Sequence, residues 1–302
     1  MNNFTILKDR EFKEHRYYIG GSNMGALTGI DKYNTAYRLW NYLANKKEAD
    51  RPEWLDESAS WGHAIEPMII HRYFTDHYGS ELADKWLQSR LKGSSKHKMA
   101  NGVVVHSFTE AVFPEWSHAV SHADALVIEP EDFEYPETYL LEAKNPSERN
   151  RRDITGLHGY DFKDSTTNGF PLSVYLQGQW LCMCYGVGKC YVVALQGGNK
   201  YRSFEPICYK PAIAQKLLAK AKTMWGFVER NEPVKPGDFE DVMSMFPEVK
   251  QKTSAVVTQE IEEQARARQL EYWDLKKKLT KIEDKIKDIQ NGFALEIGGN
   301  YY

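Results

Sequence analysis

A chain of 302 residues, 42% of them hydrophobic, can bury a substantial core as one large domain or as one domain with appendages. The net charge of −3 gives no global signal for nucleic-acid binding, so such a role requires locally clustered charge. No apolar run approaches the roughly 20 residues that cross a bilayer, and the first residues do not resemble a signal peptide. We therefore expect a cytoplasmic protein without membrane partners.

The predicted elements alternate between helices and strands. In chain order the pattern predicts two helices within residues 22–45 broken at 29–31, a loop over 46–58, a helix over 61–78 with Pro67 near its start, a polar loop over 89–102, and strands over 103–108, 118–128 and 139–146. A helix over 171–185, a hairpin within 190–209 and an amphipathic helix over 212–230 follow. The four cysteines, which lack the spacing of a zinc site, are expected to be buried free thiols: Cys182, Cys184, Cys190 and Cys208.

The last part of the chain has a different texture. A heptad-like stripe predicts a helix over about 260–291, with Asn291-Gly292 as its C-cap. Such a helix can dock on its own domain or on another subunit. The stripe consists of Tyr272, Leu275, Leu279, Ile282, Ile286, Ile289 and Phe293.

The strongest chemical signal lies on two apolar stretches that are predicted to be neighbouring strands. Asp124 lies on the first, and Glu142 and Lys144 lie on the second, separated by Ala143. Because side chains alternate along a strand, Glu142 and Lys144 share one face, and Asp124 can join them if the strands pair. The simpler interpretation is a set of solvated residues or a cross-strand ion pair.

Two carboxylates and an ammonium group at one sheet edge are the groups that a metal-dependent nuclease requires. Hard carboxylate oxygens suit Mg²⁺ or Mn²⁺. A nearby lysine can orient or deprotonate a water molecule, and burial can lower its pKa. Glu142 and Lys144 close an otherwise apolar run, where isolated charges are costly unless a metal or a partner satisfies them.

Five motifs in a fixed order make this hypothesis more specific. They are Ile19-Gly-Gly-Ser-Asn-Met-Gly-Ala-Leu-Thr-Gly29, Trp61-Gly-His-Ala-Ile-Glu66-Pro67, Ser121-His-Ala-Asp124-Ala-Leu126, Leu141-Glu-Ala-Lys144 and Tyr175-Leu-Gln-Gly-Gln-Trp180. Over roughly residues 16–195 the chain resembles the YqaJ-type viral recombinases, which include lambda-type exonuclease, within the PD-(D/E)xK nuclease superfamily. One departure is Ala125, where the family usually has glycine.

The resemblance implies a fold and a division of the chain. The expected α/β fold is a restriction-endonuclease-like mixed central sheet flanked by helices, with a C-terminal helical extension. Residues 1–235 would form the exonuclease domain, and residues 236–302 would form the extension.

The resemblance also implies roles for individual residues. Asp124, Glu142, the carbonyl of Ala143 and Glu66 would hold one or two Mg²⁺ or Mn²⁺ ions. Lys144 would position and activate the attacking water. The catalytic set would be completed by Gln177, whereas Gln179, about 200° around the same helix, would pack elsewhere.

DNA contacts follow from the same resemblance and from local charge. Ser22 would contact a terminal 5′-phosphate, besides its role as a predicted helix N-cap, and Arg16 would pair with the same phosphate. Two basic clusters can be solvated faces or phosphate contacts, and next to a nuclease site we favour phosphate contacts. These clusters are Arg149, Arg151 and Arg152, and Lys92, Lys96 and Lys98.

The implied activity is 5′→3′ resection of linear duplex DNA with a 5′-phosphate, for single-strand-annealing recombination. The implied partners are a single-strand annealing protein and further copies of the chain, in a ring-like trimer. Such a protein would be encoded by a phage or its bacterial host. Two alternatives remain open at this point: an endonuclease of the same superfamily, and a weakly active DNA-end-binding recombination scaffold.

Overall fold

The computed structural model describes residues 5–6, 17–31, 34–45, 53–146, 171–245 and 259–299. The chain divides into two compact units, Met1–Met245 and Phe246–Tyr302. The described strands are β1 (Thr5–Ile6), β2 (Lys96–Lys98), β3 (Val104–Val112), β4 (Val120–Ile128), β5 (Thr138–Lys144), β6 (Lys189–Gln196), β7 (Lys200–Ser203) and β8 (Ile207–Cys208). The described helices are α1 (Met24–Thr28), α2 (Ala36–Asn45), α3 (Glu53–Tyr78), α4 (Ser80–Leu91), α5 (Leu172–Tyr185), α6 (Pro211–Glu229), α7 (Phe239–Met245) and α8 (Gln259–Gly299).

The strands of the first unit form an eight-stranded mixed sheet. Its main path runs β1-β3-β4-β5-β6-β7, with β2 beside β3 and β8 beside β6. Strands β5 and β6 are parallel, and the other pairs are antiparallel. A parallel pair requires a long crossover, and α5 lies in the connection between β5 and β6. The predicted fold class, a mixed sheet flanked by helices with a helical C-terminal part, is confirmed.

Hydrophobic cores lie on both faces of the sheet. Leu126 and Leu140 belong to the core formed with α1, α2, α5 and α6, whereas Val127 and Leu141 belong to the core formed with α3 and α4. Neighbouring residues of one strand therefore enter opposite cores, as the period of two requires. Because both faces are covered, β4 and β5 are rigid supports for the side chains at their ends.

Two local predictions are wrong. Helix α3 begins at Glu53 and continues through Pro67, so the start expected at residue 61 is wrong and residues 53–58 of the expected loop are helical; residues 46–52 lie outside the described residues. The segment expected to be a polar loop over residues 89–102 contains the end of α4, which includes Arg90, and the strand β2.

The first unit extends through α7, beyond the boundary predicted at residue 235. Arg38 of α2 explains the attachment, because its guanidinium lies 3.0 Å from Asp238 Oδ2 and 3.1 Å from Asp241 Oδ1. Asp241 is fully buried, and its Oδ2 accepts a hydrogen bond of 2.7 Å from the amide of Gly237.

The described part of the second unit is one long helix, α8. It continues to Gly299, past the C-cap predicted at Asn291-Gly292. Every side chain from residue 260 to residue 285 is exposed. None of the helices in the described ranges has the length and the apolar content needed to cross a membrane.

Candidate active site

A cleft of about 380 Å³ lies where the middle of β4, the end of β5 and helix α5 meet α3 and the segment before α1. The five residues predicted to be catalytic all line this cleft, and so does Ser22. Its walls are formed by Tyr18, Gly20, Gly21, Ser22, Gly62, His63, Glu66, Ile69, His122, Asp124, Glu142, Ala143, Lys144, Asn145 and Gln177.

Asp124 of β4 is connected to β5 through its side chain. Its Oδ2 accepts a hydrogen bond of 2.7 Å from the backbone amide of Ala143. Burial raises the pKa of Asp124 well above its usual value, and the negative charges of Glu142 and Glu66 raise it further. Three carboxyl groups therefore lie close enough to repel one another, which favours a positive charge among them.

Glu142, Lys144 and Gln177 form a closed hydrogen-bonded triangle. Glu142 Oε1 accepts hydrogen bonds from Lys144 Nζ at 2.6 Å and from Gln177 Nε2 at 2.7 Å. Lys144 Nζ also donates to Gln177 Oε1 at 3.1 Å. Residues 142 and 144 lie on the same face of β5, as the alternation of side chains predicts, and α5 supplies the glutamine from above that face.

The second oxygen of Glu142 is buried and lacks a hydrogen-bond partner among the described residues. Glu142 is only 5% exposed, so water does not compensate that oxygen freely. An unsatisfied buried carboxylate oxygen costs roughly 1–3 kcal/mol or more. This oxygen is the strongest local indication of a cation-binding position.

Lys144 carries a positive charge in this arrangement. Burial alone would lower the pKa of Lys144, but the negative charges of Glu142 and Asp124 outweigh burial and raise it. Burial acts on this pKa in the expected direction, but the neighbouring carboxylates more than offset it. Lys144 is a hydrogen-bond donor that can orient a water molecule.

Glu66 reaches the cleft from α3 and is paired with Arg90 of α4. Arg90 NH2 lies 3.5 Å from Glu66 Oε1, and their side chains are 10% and 16% exposed. Burial raises the pKa of Glu66, and the charge of Arg90 opposes that shift. His63, one turn earlier in α3, lies 3.8 Å from Glu66 Oε2. Arg90 thus holds Glu66 at the edge of the cleft.

The donor set fits a hard divalent cation. Carboxylate oxygens from Asp124, Glu142 and Glu66, together with the carbonyl of Ala143, are the ligand types that Mg²⁺ and Mn²⁺ prefer. In the part of the chain that the structure describes, no three His, Cys, Asp or Glu side chains form a complete metal-binding cluster. Each ion would therefore take fewer than three of these side chains at once, completed by the carbonyl of Ala143 and by water, as is typical of Mg²⁺.

Ser22 is exposed and lines the same cleft, within a short 3₁₀ turn, Gly21–Asn23. Its predicted role as a helix N-cap is wrong, because Asn23 precedes α1 and the side chain of Asn23 accepts a hydrogen bond from Gly20 N at 2.8 Å. Arg16, predicted to bind the same phosphate, lies outside the described residues.

Tyr18 and His122 also line the cleft and were not predicted. Tyr18 Oη lies 2.6 Å from His122 Nε2, and His122 Nε2 lies 3.4 Å from Glu110 Oε2. Burial, followed by the charge of Glu110, raises the pKa of Tyr18 to about 12. The motif Ser121-His-Ala-Asp124 could have indicated His122, because residues 122 and 124 share one face of β4.

Among the described residues, the three lysines predicted to contact DNA do not line this cleft. Lys92 follows α4, and Lys96 and Lys98 project from the same face of β2; all three are exposed. The cluster of Arg149, Arg151 and Arg152 lies outside the described residues.

Gln179 packs away from the site, as predicted. It is fully buried, donates to Cys208 O at 2.8 Å and accepts from Lys210 N at 2.7 Å. The polar loop predicted over residues 89–102 included Arg90, so its contact with Glu66 was missed. A helical pattern through residues 80–91 is the signal that could have revealed it.

Comparison with known proteins gives the chain a family. The model of the YqaJ-like viral recombinase domain matches residues 11–184. The uncharacterized protein YqaJ of Bacillus subtilis (strain 168) is 21% identical over 201 residues, which are 66% of this chain and 50% of that protein. The chain thus spans about half the length of this curated relative.

Solved structures also match. The alkaline exonuclease LHK-Exo from Laribacter hongkongensis aligns with a TM-score of 0.46 and 13% identity, covering 80% of this chain and 100% of that one. Its complex with dAMP aligns with a TM-score of 0.47 at the same identity and coverage.

Proposed function

The chain belongs to the YqaJ-like viral recombinase domain family, and on that premise we propose that it is a metal-dependent exonuclease that resects linear duplex DNA from the 5′ end. The observation that carries this proposal is the convergence of Asp124, Glu142, Lys144, Glu66 and Gln177 in one cleft. Within it, one buried oxygen of Glu142 has no partner among the described residues.

Hydrolysis of a phosphodiester needs charge stabilisation and a positioned water molecule. When bound, one or two Mg²⁺ or Mn²⁺ ions would supply Lewis-acid stabilisation of the phosphoryl oxygens and a lower pKa for the attacking water. Asp124, Glu142, Glu66 and the carbonyl of Ala143 would hold them.

The protein's own groups position the reactants. Lys144 Nζ, held by Glu142 and Gln177, donates to the attacking water from the face of β5. Gln177 keeps Glu142 from rotating away, because its Nε2 holds Glu142 Oε1. Arg90 keeps the carboxylate of Glu66 at the cleft edge. These contacts supply the alignment that in-line displacement requires.

The part of the cleft around Ser22 would hold the end of the cleaved strand. In this proposal Ser22 contacts the terminal 5′-phosphate, Arg16 pairs with it, and the basic residues named above contact the backbone of the duplex. Electrostatic contacts of this kind weaken as salt increases. The resected 3′ overhang would pass to a single-strand annealing protein, and the enzyme would act as a homo-oligomer.

Digestion of end-labelled duplex tests the proposal. Linear DNA with a 5′-phosphate, linear DNA with a 5′-hydroxyl, and closed circular DNA are incubated with and without Mg²⁺. We expect Mg²⁺-dependent release of nucleotides from the 5′ end, faster on phosphorylated ends, and no cutting of circles.

A pair of variants separates the site from general effects on folding. Lys144→Ala removes the predicted water-positioning group, whereas Lys189→Ala removes a lysine at the start of β6 that pairs with Glu137 outside the cleft. We expect only Lys144→Ala to abolish cleavage. Cutting of circles would instead identify an endonuclease, and Mg²⁺-independent end binding without cleavage would identify a recombination scaffold.

A further inference from the structure

Helix α8 exposes an apolar stripe along its described part. Tyr272, Leu275, Leu279 and Ile282 are 56%, 56%, 54% and 54% exposed. Large apolar side chains in a row are unusual on a surface that faces only water, and they mark an interaction site. The exposed stripe is therefore expected to have an occupant.

The spacing of the stripe identifies the kind of occupant. Tyr272 and Leu279 occupy heptad position a, and Leu275 and Ile282 occupy position d. The sequence continues this alternation with Ile286, Ile289 and Phe293. Apolar residues at positions a and d with a period of seven are suited to packing against another helix with the same repeat. In such a pair, each a or d side chain of one helix packs into a space between four side chains of its neighbour.

The charges beside the stripe match a second copy of the same helix. In a parallel coiled coil, position g of one helix faces position e of the next heptad in its neighbour. Glu271 at g would face Lys276 of a second copy, and Lys278 at g would face Glu283 of that copy. Both pairs are attractive, and each occurs on both sides of a symmetric interface.

An antiparallel arrangement is less favourable. Aligning the same apolar layers in the opposite direction places Lys276 opposite Glu283, but it also places Lys278 opposite Lys285 of the second copy. The repulsive pair cancels the attractive one, so charge favours the parallel, in-register form.

The apolar residues also bear on the number of helices. Leu279 at a is followed by Ile282 at d, and Ile286 at a is followed by Ile289 at d. Leucine at a with isoleucine at d, or isoleucine at both, favours trimers or tetramers over dimers.

We propose that α8 assembles identical copies of this chain into a parallel, in-register coiled coil of more than two helices. The contacts within one helix are weak competitors. Lys278 Nζ lies 2.7 Å from Asp274 on the exposed surface, and Lys276 lies 5.7 Å from the rings of Tyr272 and Trp273. The assembly would bring several copies of the first unit together, whether or not the cleft is a nuclease.

The test measures the mass of the full chain by sedimentation equilibrium. The wild type is expected at three or four times the chain mass of 34.9 kDa. Leu279→Glu places a charge in the stripe and is expected to give single chains. Leu270→Glu is the matched control, because Leu270 is 72% exposed and occupies position f, away from the stripe. It should keep the wild-type mass.

A charge exchange tests the direction and the register. Glu271→Lys should lower the association constant by about tenfold or more, and the double variant Glu271→Lys with Lys276→Glu should restore most of it. These positions are five residues apart and do not face each other within one helix. Restoration therefore reports a contact between copies.

Each result decides the proposal. A wild-type chain that sediments at 34.9 kDa or as a dimer overturns it, as does an oligomer that survives Leu279→Glu. Failure of the double variant to recover overturns the parallel register. Unchanged thermal unfolding of the first unit in all variants shows that the exposed substitutions act on assembly alone.

Discussion

Replacement of Lys144 by methionine separates the charge of this residue from its length. Breaking a fully buried ion pair costs about 3–5 kcal/mol, whereas an exposed pair contributes about 0.2–1 kcal/mol. Lys144 is 32% exposed and Glu142 is 6% exposed, so their pair lies between these limits. We expect Lys144→Met to destabilise the first unit by about 2 kcal/mol, or about 4–8 °C in Tm.

The same variant should respond to divalent cations more strongly than the wild type. Without the ammonium group, Gln177 is the remaining hydrogen-bond donor to Glu142 among the described residues, so a bound cation relieves a larger electrostatic cost. We expect Mg²⁺ or Mn²⁺ to raise the Tm of Lys144→Met by more than that of the wild type, while cleavage is lost.

Differential scanning fluorimetry with and without the cation is the assay, and Lys189→Met is the matched control. Lys189 and Glu137 are 38% and 31% exposed, so their loss should cost less than about 1 kcal/mol and leave cleavage intact. A Tm of Lys144→Met equal to or above that of the wild type would refute the reasoning about the buried charge. Retained cleavage would refute the proposed role of Lys144.

Four further predictions test the site and its supports. Gln177→Leu should reduce cleavage by about 10–100-fold with little change in Tm. Gln179→Leu should lower Tm, because Cys208 O and Lys210 N lose their hydrogen-bond partner, but cleavage per folded molecule should not change. Initial rates and thermal unfolding of the two variants test this, and equal cleavage rates would contradict it. Gly178→Ala should destabilise by about 1–3 kcal/mol, since its Cβ would lie 2.6 Å from Ile207 Cδ1; urea unfolding measures this, and an unchanged midpoint would show that Ile207 moves freely. Arg90→Met should leave the charge of Glu66 poorly compensated and reduce cleavage by about tenfold or more. Arg72→Met is the control and should cleave normally, because its partner Asp76 is exposed. Equal cleavage rates for the two variants would show that Arg90 does not support the site. Burial and then the charge of Lys96 lower the pKa of His106 in the folded chain, so the unfolded chain binds more protons. The free energy of unfolding should therefore fall as the pH drops below about 6.5, and it should fall less in His106→Gln. Parallel profiles of unfolding free energy against pH for the two proteins would contradict this.

The sequence was most informative where the period of a strand decides the answer. Alternation along β5 predicts that Glu142 and Lys144 share a face, and the hydrogen bond between them confirms it. The same rule places Leu140 and Leu141 in opposite cores. The helix carrying Gln177 and Gln179 could be predicted because its apolar residues are dense and Gly186 ends it with a φ of 63°.

The sequence was least informative where distant segments meet. Arg90 lies 24 residues from Glu66, and only the packing of α4 against α3 brings them together. The start of α3 was missed because its first turns are polar and Pro67 signals a break, although the buried face formed by Ile69, Ile70 and Phe74 stabilises the helix through the proline. Tertiary burial outweighs local propensity in both cases.

The hydrogen bond from the amide of Ala143 to Asp124 marks the point where the pairing of β4 with β5 stops inside the sheet. The backbone register of β4 and β5 runs from Ile128 and Thr138 to Ala125 and Leu141. Beyond that last pair, the side chain of Asp124, one residue along β4, accepts the amide proton of Ala143, two residues along β5, which a strand carbonyl would otherwise receive. The two strands separate at this point, and the side chain of Asp124 connects them. A sequence change that let the ladder extend by another pair would close the cleft, so incomplete strand pairing is a condition for having a site at all.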